Sequence, residues 1–216
     1  MFNKINQRTT LDTVLTMLRK AIFDGRLQPG SQLRESQISE SMGISRAPLR
    51  EALGKLEEEG LIVKVPFKGA FVAEISRDAV EEISIVRQLV EAHVIEKALP
   101  MLLADELSHM EGLVEDLKNA ALVNDFQGAL KAHLELHRLF YECSRNEVLM
   151  SMWKSWESQL RLFFVEDLQN LFDPGVSARV HTKLVALIKT GDIDKIRQAV
   201  TDHVHGNTLP LVKNPQ

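Results

Sequence analysis

Cysteine is almost absent from this chain of 216 residues, and long apolar runs are absent altogether. The single thiol, Cys143, excludes an internal disulfide, and its place in an amphipathic stretch predicts a buried, unreactive side chain. No apolar run approaches the roughly 18 residues of a membrane span, and the polar sequence MFNKINQRTT lacks the apolar segment of a signal peptide. We therefore expect a cytoplasmic protein that has no membrane partner.

A strong excess of charge of one sign is also missing. The net charge is −4, and 44% hydrophobic with 26% charged residues is too balanced for a disordered chain. Residues 1–75 contain 11 basic and 9 acidic side chains, whereas residues 76–216 contain 15 basic and 21 acidic ones. We expect two compact domains, of which only the N-terminal one has a charge balance compatible with nucleic acid.

The N-terminal third contains three helical segments followed by a hairpin. Apolar spacing predicts a first helix that starts at a Thr10 cap and stops at Gly25, and RESQISESMG predicts a short second helix that Gly43 ends. GISRAPLREALGKLEEEGLI predicts a third helix from about Ser45 to Glu59. The β-prone runs LIVKV and AFVAE, joined by PFKG, predict a hairpin. Residues 1–75 are thus predicted to form a winged helix-turn-helix domain.

The third helix has an uneven distribution of charge. Its apolar positions follow the spacing of a core-facing stripe, while Arg46 and Arg50 lie one turn apart on the flank of that stripe, and three glutamates stand near its end. The arginines coincide with the positive end of the helix dipole. An anionic partner should therefore meet only the N-terminal end of this helix.

From about Ser76 onward the sequence shows helical spacing without strand-like alternation or a detectable repeat. Acidic residues precede several segments as caps, and Gly191 suits a helix C-terminus. We predict an all-α six-helix bundle in residues 76–216, which makes the fold mainly α. The predicted helices are Arg77–Leu99, Ala104–Val123, Phe126–Cys143, Glu147–Leu171, Val176–Thr190 and Ile193 to about Thr208.

Residues 21–72 resemble the DNA-binding domain of the GntR family of bacterial transcription regulators. The blocks "I..G.L.PG..L", "SR.P.REAL..L...GL" and "G.FV" occur in the family's order and spacing. The remainder resembles the FCD ligand-binding domain of the FadR-like branch, through VRQLVEAHVIEKA, HLELHRLFYECSRN and VHTKLVALIKTGDIDKIRQAVTDHV. Six helices instead of seven imply the shorter, VanR-type form.

The resemblance implies that the third helix enters the DNA major groove by its N-terminal end. Arg46 and Arg50 would reach guanine or phosphates, and Ser45 would donate its hydroxyl to a phosphate. Without the family motif, a solvated helix face would be the better explanation of the two arginines. The resemblance also implies backbone or minor-groove contacts from residues near the second helix and the wing, namely Arg34, Lys68 and Gly69.

Four histidines form a candidate metal site. His133 and His137 are four apart and share one helix face, a spacing that by itself is more typical of surface or packed imidazoles. Metal-binding FCD domains use an acidic residue and a histidine on this helix and one histidine on each of the last two helices, where His181 and His203 stand. Because His133 replaces the usual aspartate, four neutral imidazoles would favour Zn²⁺, Ni²⁺ or Cu²⁺ over Mn²⁺ or Mg²⁺. The other histidines, at positions 93, 109 and 205, are predicted to be surface or packing residues.

The bound ion's charge would then be uncompensated and would attract an anionic effector. Arg87 stands where the FCD first helix commonly carries an arginine that faces the ligand cavity, and it could hold a carboxylate bidentately. An ion pair with Glu91, four residues on, is an equally good interpretation. Arg161 is a second candidate for the effector carboxylate. The aromatic side chains on its helix are predicted to pack in the core or in a dimer, namely Trp153, Trp156, Phe163 and Phe164.

These features predict a dimeric, ligand-responsive regulator, most simply a repressor, that binds a palindromic operator and responds to a small carboxylate. A regulator for which the metal itself is the signal is the alternative. A metalloenzyme is disfavoured because the histidines form no H-E-x-x-H motif, and Glu135 should point away from the face of His133 and His137.

Overall fold

A computed structural model describes the backbone of residues 7–213 and the side chains of residues 11–165 and 172–204. The chain forms two compact units. The first comprises Met1–Ile75 and Ser158–Glu166, and the second comprises Ser76–Glu157 and Asp167–Gln216. Each unit has its own architecture, and the predicted mainly-α fold, with an N-terminal winged helix-turn-helix and a C-terminal helical domain, is confirmed.

The first unit contains three helices and a small sheet in the order α1 Gln7–Phe23, β1 Gln32–Leu33, α2 Glu35–Met42, α3 Arg46–Glu58, β2 Ile62–Val65 and β3 Gly69–Val72. The predicted start of the first helix at Thr10 is wrong. The helix begins at Gln7 because the residues before Thr10 include no glycine or proline that would stop it. Strand β1 was not predicted, since two residues are too short to show a period.

The turn between α2 and α3 follows the predicted helix-turn-helix pattern. Gly43 ends α2 in the left-handed conformation with φ +63°. Ser45 occupies the N-cap position of α3 in an extended conformation, but its hydroxyl makes no capping hydrogen bond. The predicted apolar stripe of α3 is buried as expected, at Leu49, Ala52, Leu53 and Leu56. The opposite flank of the helix therefore faces solvent with its arginines.

The three strands form an antiparallel sheet in the order β1-β3-β2. Pairing of Val65 with Gly69 closes the hairpin between β2 and β3, which is the wing. Strand β1 adds to the outer edge of β3 through the pairing of Gln32 with Phe71. The chain segment that leads into α2 is thereby tied to the wing.

The core of the first unit forms between α1, α3 and the sheet, and it includes a residue from a distant part of the sequence. Leu18 and Ile22 of α1 are fully buried with Leu56 and Leu61. Leu162, from the segment Ser158–Glu166, belongs to the same core and is 1% exposed. Burial of such a side chain contributes about 2 kcal/mol, so this segment stabilises the first unit.

The second unit is a bundle of helices with the order α4 Arg77–Ala98, a 3₁₀ turn Leu99–Met101, α5 Ala104–Leu122, α6 Phe126–Cys143, α7 Glu147–Leu171, α8 Pro174–Thr190 and α9 Ile193–Lys213. The stretch Ser158–Glu166 of α7 belongs to the first unit. The predicted aspartate caps are confirmed: Asp125, Asp173 and Asp192 each accept a hydrogen bond from a backbone N–H of the following turn. Helix α8 starts two residues earlier than predicted because Pro174 fits its first turn.

Packing within this bundle brings four helices together. Helix α4 packs on α6 and α9, and α8 packs on α6 and α9. Their facing side chains therefore converge on one interior region. Within the described ranges, no helix combines the length and apolarity that crossing a bilayer requires.

Candidate functional site

The four candidate metal ligands meet in that interior region. His133 and His137 come from α6, His181 from α8 and His203 from α9. All four side chains are buried, and one ligating atom from each lies within 4.8 Å of the others. Two residues spaced by one helical turn and two from neighbouring helices thus form a single cluster, as the resemblance implied.

Three imidazoles direct the same nitrogen toward one point. The Nε2 atom of His137 lies 2.9 Å from Nε2 of His203 and 3.2 Å from Nε2 of His181. Tetrahedral zinc with Zn–N bonds of 2.0–2.1 Å places neighbouring nitrogens about 3.3 Å apart. Lone pairs at these distances repel one another unless a proton or a metal ion lies between them. The donor set therefore fits a shared cation.

A carboxylate and a serine orient the histidines from outside the cluster. Glu91 Oε2 lies 3.2 Å from Nδ1 of His137, which can donate its proton there and leave Nε2 free. Ser177 acts on two rings: its carbonyl oxygen is 2.7 Å from Nδ1 of His181, and its hydroxyl is 3.0 Å from Nδ1 of His133. These partners fix ring orientation, as the outer contacts of metal-ligating histidines commonly do.

Sequence reasoning considered Glu91 only as a partner of Arg87, and it missed Ser177. Both stand four residues from a residue of the site, Glu91 after Arg87 and Ser177 before His181. That helical spacing was the available signal. It is common enough in helices that it could not have singled these two residues out.

Burial keeps all four imidazoles uncharged at neutral pH. It lowers the pKa of His181 to about 4, and it lowers the pKa values of His133, His137 and His203 well below the ordinary value. Neighbouring histidines and Arg87 lower some of these pKa values further. A neutral imidazole is the form that ligates metals, so the nitrogens need to lose no proton before binding at pH 7.

Arg87 lies beside the cluster and forms the ion pair that was one of its two interpretations. Its Nε donates to Glu91 Oε1 at 2.6 Å, and both side chains are at most 5% exposed. Its Nη2 lies 3.4 Å from Nδ1 of His137, the nitrogen that also faces Glu91. Nδ1 of His137 can either donate a hydrogen bond to Glu91 or accept one from Arg87, but it cannot do both. If Nδ1 donates to Glu91, then Nη2 of Arg87 can donate to another acceptor.

Two aromatic residues with unpartnered polar atoms complete the surroundings of Arg87. Trp153 is fully buried, stacks on His137 with ring centroids 5.7 Å apart, and lies 5.5 Å from the guanidinium carbon of Arg87. It also stacks on the buried ring of Tyr141. The indole N–H and the phenol hydroxyl have no hydrogen-bond partner among the described residues. Burial raises the pKa of Tyr141 far above its usual range, so its hydroxyl remains a donor.

The other arginine proposed for the effector does not join this site. Arg161 belongs to the segment Ser158–Glu166 of the first unit, where its guanidinium carbon lies 5.7 Å from the ring centroid of Phe23. Its apolar neighbours in QLRLFF include Leu162, which is buried in the core of the first unit. The placement of Arg161 therefore gives no support to effector binding.

His93, His109 and Cys143 lie outside the cluster. His93 and His109 are exposed, as predicted, and the side chain of His205 falls outside the described residues. Cys143 is buried as predicted, and burial raises the pKa of its thiol to about 11. Glu135 lines a surface cavity beside Asp116 and Lys131 instead of the cluster.

The side chains proposed for DNA contact lie together on the exposed surface of the first unit. Arg46 and Arg50 are exposed on α3, and Arg50 Nε donates to Glu35 Oε2 at 2.7 Å. This pair is largely solvated, so exchanging Glu35 for a phosphate costs little. Ser45, Arg34, Lys68 and Gly69 are also exposed. Gln32 links two of them, since its Nε2 donates to the carbonyl of Lys68 at 2.7 Å and its Oε1 accepts from Arg34 at 3.4 Å.

Comparison with known proteins identifies a different domain family in the N-terminal and the C-terminal part of the chain. Residues 10–72 match the family described as bacterial regulatory proteins of the gntR family, and residues 82–206 match the FCD domain. The chain is 24% identical over 191 residues to the HTH-type transcriptional repressor RspR of Escherichia coli K12, covering 88% of this chain and 84% of RspR. It is 26% identical over 212 residues to the probable D-xylose utilization operon transcriptional repressor of Paenarthrobacter nicotinovorans, covering 92% and 89%.

Solved structures show the same fold. Escherichia coli McbR/YncC superimposes with a TM-score of 0.77 at 22% identity, covering 93% of this chain and 96% of that one. A GntR transcriptional regulator from Rhodococcus sp. RHA1 has a TM-score of 0.82 at 21% identity, covering 96% and 100%. The chain therefore belongs to the GntR family and, as a member that carries an FCD domain, is a DNA-binding transcription regulator and not an enzyme.

Proposed function

We propose that this regulator is a repressor that binds a palindromic operator as a homodimer and responds to a small carboxylate held near a divalent metal ion. The buried cluster of four neutral histidines is the observation that carries the proposal. Because bacterial operators lie in the cytoplasm, we propose that the protein acts there. The domains that perform the two tasks are proposed to be residues 1–75 and 76–216.

The four histidines would hold the ion, and zinc or nickel suits four imidazole nitrogens best. When bound, the ion supplies positive charge that can attract a carboxylate. The surrounding protein leaves that charge uncompensated, because Glu91 and Arg87 neutralise each other in their buried ion pair. An anion is therefore the ligand that the site favours.

Three buried donors support a carboxylate as the effector. Arg87 can present Nη2 once Nδ1 of His137 donates to Glu91, and Tyr141 and Trp153 each have an unpartnered donor. A buried donor without an acceptor costs about 1–3 kcal/mol, so an effector oxygen that accepts from these groups would gain affinity. The effector must be small because Arg87, Tyr141 and Trp153 are all buried.

DNA contact is proposed for the exposed N-terminal end of α3. Arg46 and Arg50 would read guanine edges or bind phosphates in the major groove, with Ser45 at a phosphate. Arg34, Lys68 and Gly69 would contact the backbone or the minor groove.

A homodimer is proposed because one winged domain reads a single half-site, and a palindrome needs two. Helix α4 carries an exposed apolar stripe of Ile85, Val86 and Leu89, which are 50%, 41% and 76% exposed in the single chain. These residues follow helical spacing on one face. Burial against a second copy would remove this surface from water.

Direct sensing of the metal is the second candidate. His133, His137, His181 and His203 would supply four nitrogens to a bound ion, which is a full tetrahedral set and would leave an effector no position on the metal. In that case the ion itself would change operator affinity, and no carboxylate would be needed.

Elemental analysis and mass spectrometry of the purified full-length chain test both candidates. We expect about one zinc or nickel ion per chain and a co-purifying carboxylate. Titration of selected operator DNA with metal-stripped protein, then with zinc alone, then with zinc and the carboxylate, identifies the signal. A response to zinc alone would establish direct sensing, and protein without metal at any histidine would contradict both.

A further inference from the structure

Phe67, at the tip of the wing, is the most exposed large apolar side chain among the described residues. It lies in the turn between β2 and β3, which is closed by a hydrogen bond of 3.0 Å from the N–H of Lys68 to the carbonyl of Val65. Its ring is 109% exposed relative to a reference residue, so no other described side chain covers it. The sequence offers no packing reason for an aromatic residue at this place.

The backbone makes this residue choice costly. Phe67 has φ +63°, in the left-handed region where glycine or asparagine is favoured at the third position of a turn. A bulky side chain in this conformation is a rare outlier. Asparagine would fit the same backbone with less strain and less exposed apolar surface. Such a cost is commonly associated with function.

The surroundings restrain the backbone of the turn and favour DNA as the partner of the ring. Pro66 restricts the turn on one side, and Gln32 holds the other side by donating to the carbonyl of Lys68. Lys68 is exposed next to the ring and can pair with a phosphate. Glu57, an acidic side chain near this hairpin, is paired with Lys64 of β2.

We propose that Phe67 inserts as an apolar wedge into the minor groove and partly unstacks a base step beside each half-site. Apolar side chains inserted in this way kink DNA, and pyrimidine–purine steps yield most easily. Phe67 then adds a preference for flexible steps at positions that Arg46 and Arg50 do not read. This inference rests on the operator binding proposed for the first unit and is independent of metal and effector.

The test uses the full-length protein and a duplex that the unsubstituted chain selects from a random-sequence pool. Phe67→Asn keeps the turn and removes the ring, while Phe67→Leu keeps a smaller wedge. Met17→Ala, which trims a half-exposed apolar residue of α1, is the matched control. 2-Aminopurine placed at successive steps beside the half-site reports unstacking, and energy transfer between the duplex ends reports bending.

We expect Phe67→Asn to weaken binding about tenfold, with an unchanged salt slope, a loss of the 2-aminopurine signal and a higher thermal midpoint. Phe67→Leu should retain part of each DNA signal, and Met17→Ala should retain all of it. Equal affinity and bending in Phe67→Asn, or no fluorescence change at any step with the unsubstituted chain, would overturn the wedge. Failure to select any duplex would instead overturn the operator-binding proposal, and the wedge with it.

Discussion

The two units place their functional side chains in opposite environments. In the second unit the histidines, Arg87 and Glu91 are buried and bonded to one another. In the first unit Arg46, Lys68 and their neighbours are exposed, and Arg50 has a solvated partner. A buried network can select a ligand small enough to enter it, whereas an exposed set can meet a long, charged duplex. Loss of one member should therefore disable the buried site but only weaken the exposed one.

The largest effect should follow removal of the most central histidine. His137 contacts two other cluster histidines through Nε2, so His137→Ala should abolish bound zinc in the folded protein. Elemental analysis after dialysis measures this, with circular dichroism to confirm folding. His93→Ala, an exposed histidine of α4, is the control and should retain full metal. Zinc retained by His137→Ala would place the ion elsewhere.

The metal-free protein should lose stability in acid. The folded pKa of His181 lies at about 4, below the unfolded value near 6.5, so below pH 6.5 the unfolded state binds protons that the folded state refuses. This difference removes about 3 kcal/mol of unfolding free energy between pH 6.5 and 4. Urea titrations at several pH values measure the loss, and His181→Gln should remove the part that His181 contributes, while the other three buried histidines keep theirs. A slope that is unchanged in His181→Gln would show that this imidazole titrates normally.

Arg46 and Arg50 of α3 should each contribute a moderate part of the free energy of operator binding. We expect Arg46→Ala and Arg50→Ala to weaken operator binding by about 1–3 kcal/mol each if the contacts are bidentate to guanine. Thermal unfolding should be nearly unchanged, because both side chains are exposed. Lys55→Ala, near the other end of α3, should bind almost normally. Normal affinity in both arginine variants would remove the major-groove assignment.

Glu91 tests how far the buried network extends beyond the ligands. Glu91→Gln keeps the size of the side chain but loses the charge that orients His137, so zinc affinity should fall about 10–100-fold, which is about 1.4–2.7 kcal/mol. Competition with a chromophoric chelator measures the change. Glu96 lies on the same helix as Glu91 and pairs with Arg197 of α9. Glu96→Gln disrupts that pair and should leave zinc affinity unchanged. Equal affinities in the two variants would limit the site to its four histidines.

The smallest effect belongs to the wing lysine. Lys68→Ala should lower operator affinity slightly, leave base preference unchanged and reduce the salt slope by about 1, as the loss of one phosphate contact requires. Binding curves at several salt concentrations measure it. A changed base preference would show that Lys68 contacts bases and not only a phosphate.

Periodicity and capping residues predicted most of the fold, because helices with strong apolar spacing and aspartate caps leave local signals. The six helices predicted after Ser76 are all present, but α8 starts at Pro174 instead of Val176 and α9 ends at Lys213 instead of about Thr208. The contact of Ser158–Glu166 with the first unit had no such signal, since long-range packing is not encoded in local spacing. For the same reason local spacing could not show that Arg161 belongs to the first unit. The cluster of four histidines was predicted through family resemblance, whereas Ser177 and the site role of Trp153 required the structure.

X-ray absorption at the zinc edge, on zinc-loaded full-length protein, tests directly whether His133, His137, His181 and His203 bind the ion. We expect four nitrogen ligands at 2.0–2.1 Å with the scattering pattern of imidazole. In His133→Asp one nitrogen should be replaced by oxygen while the ion stays bound, and affinity for an anionic effector should fall because a negative charge has been added. A zinc shell dominated by oxygen in the unsubstituted protein, or one that His133→Asp leaves unaltered, would contradict the account.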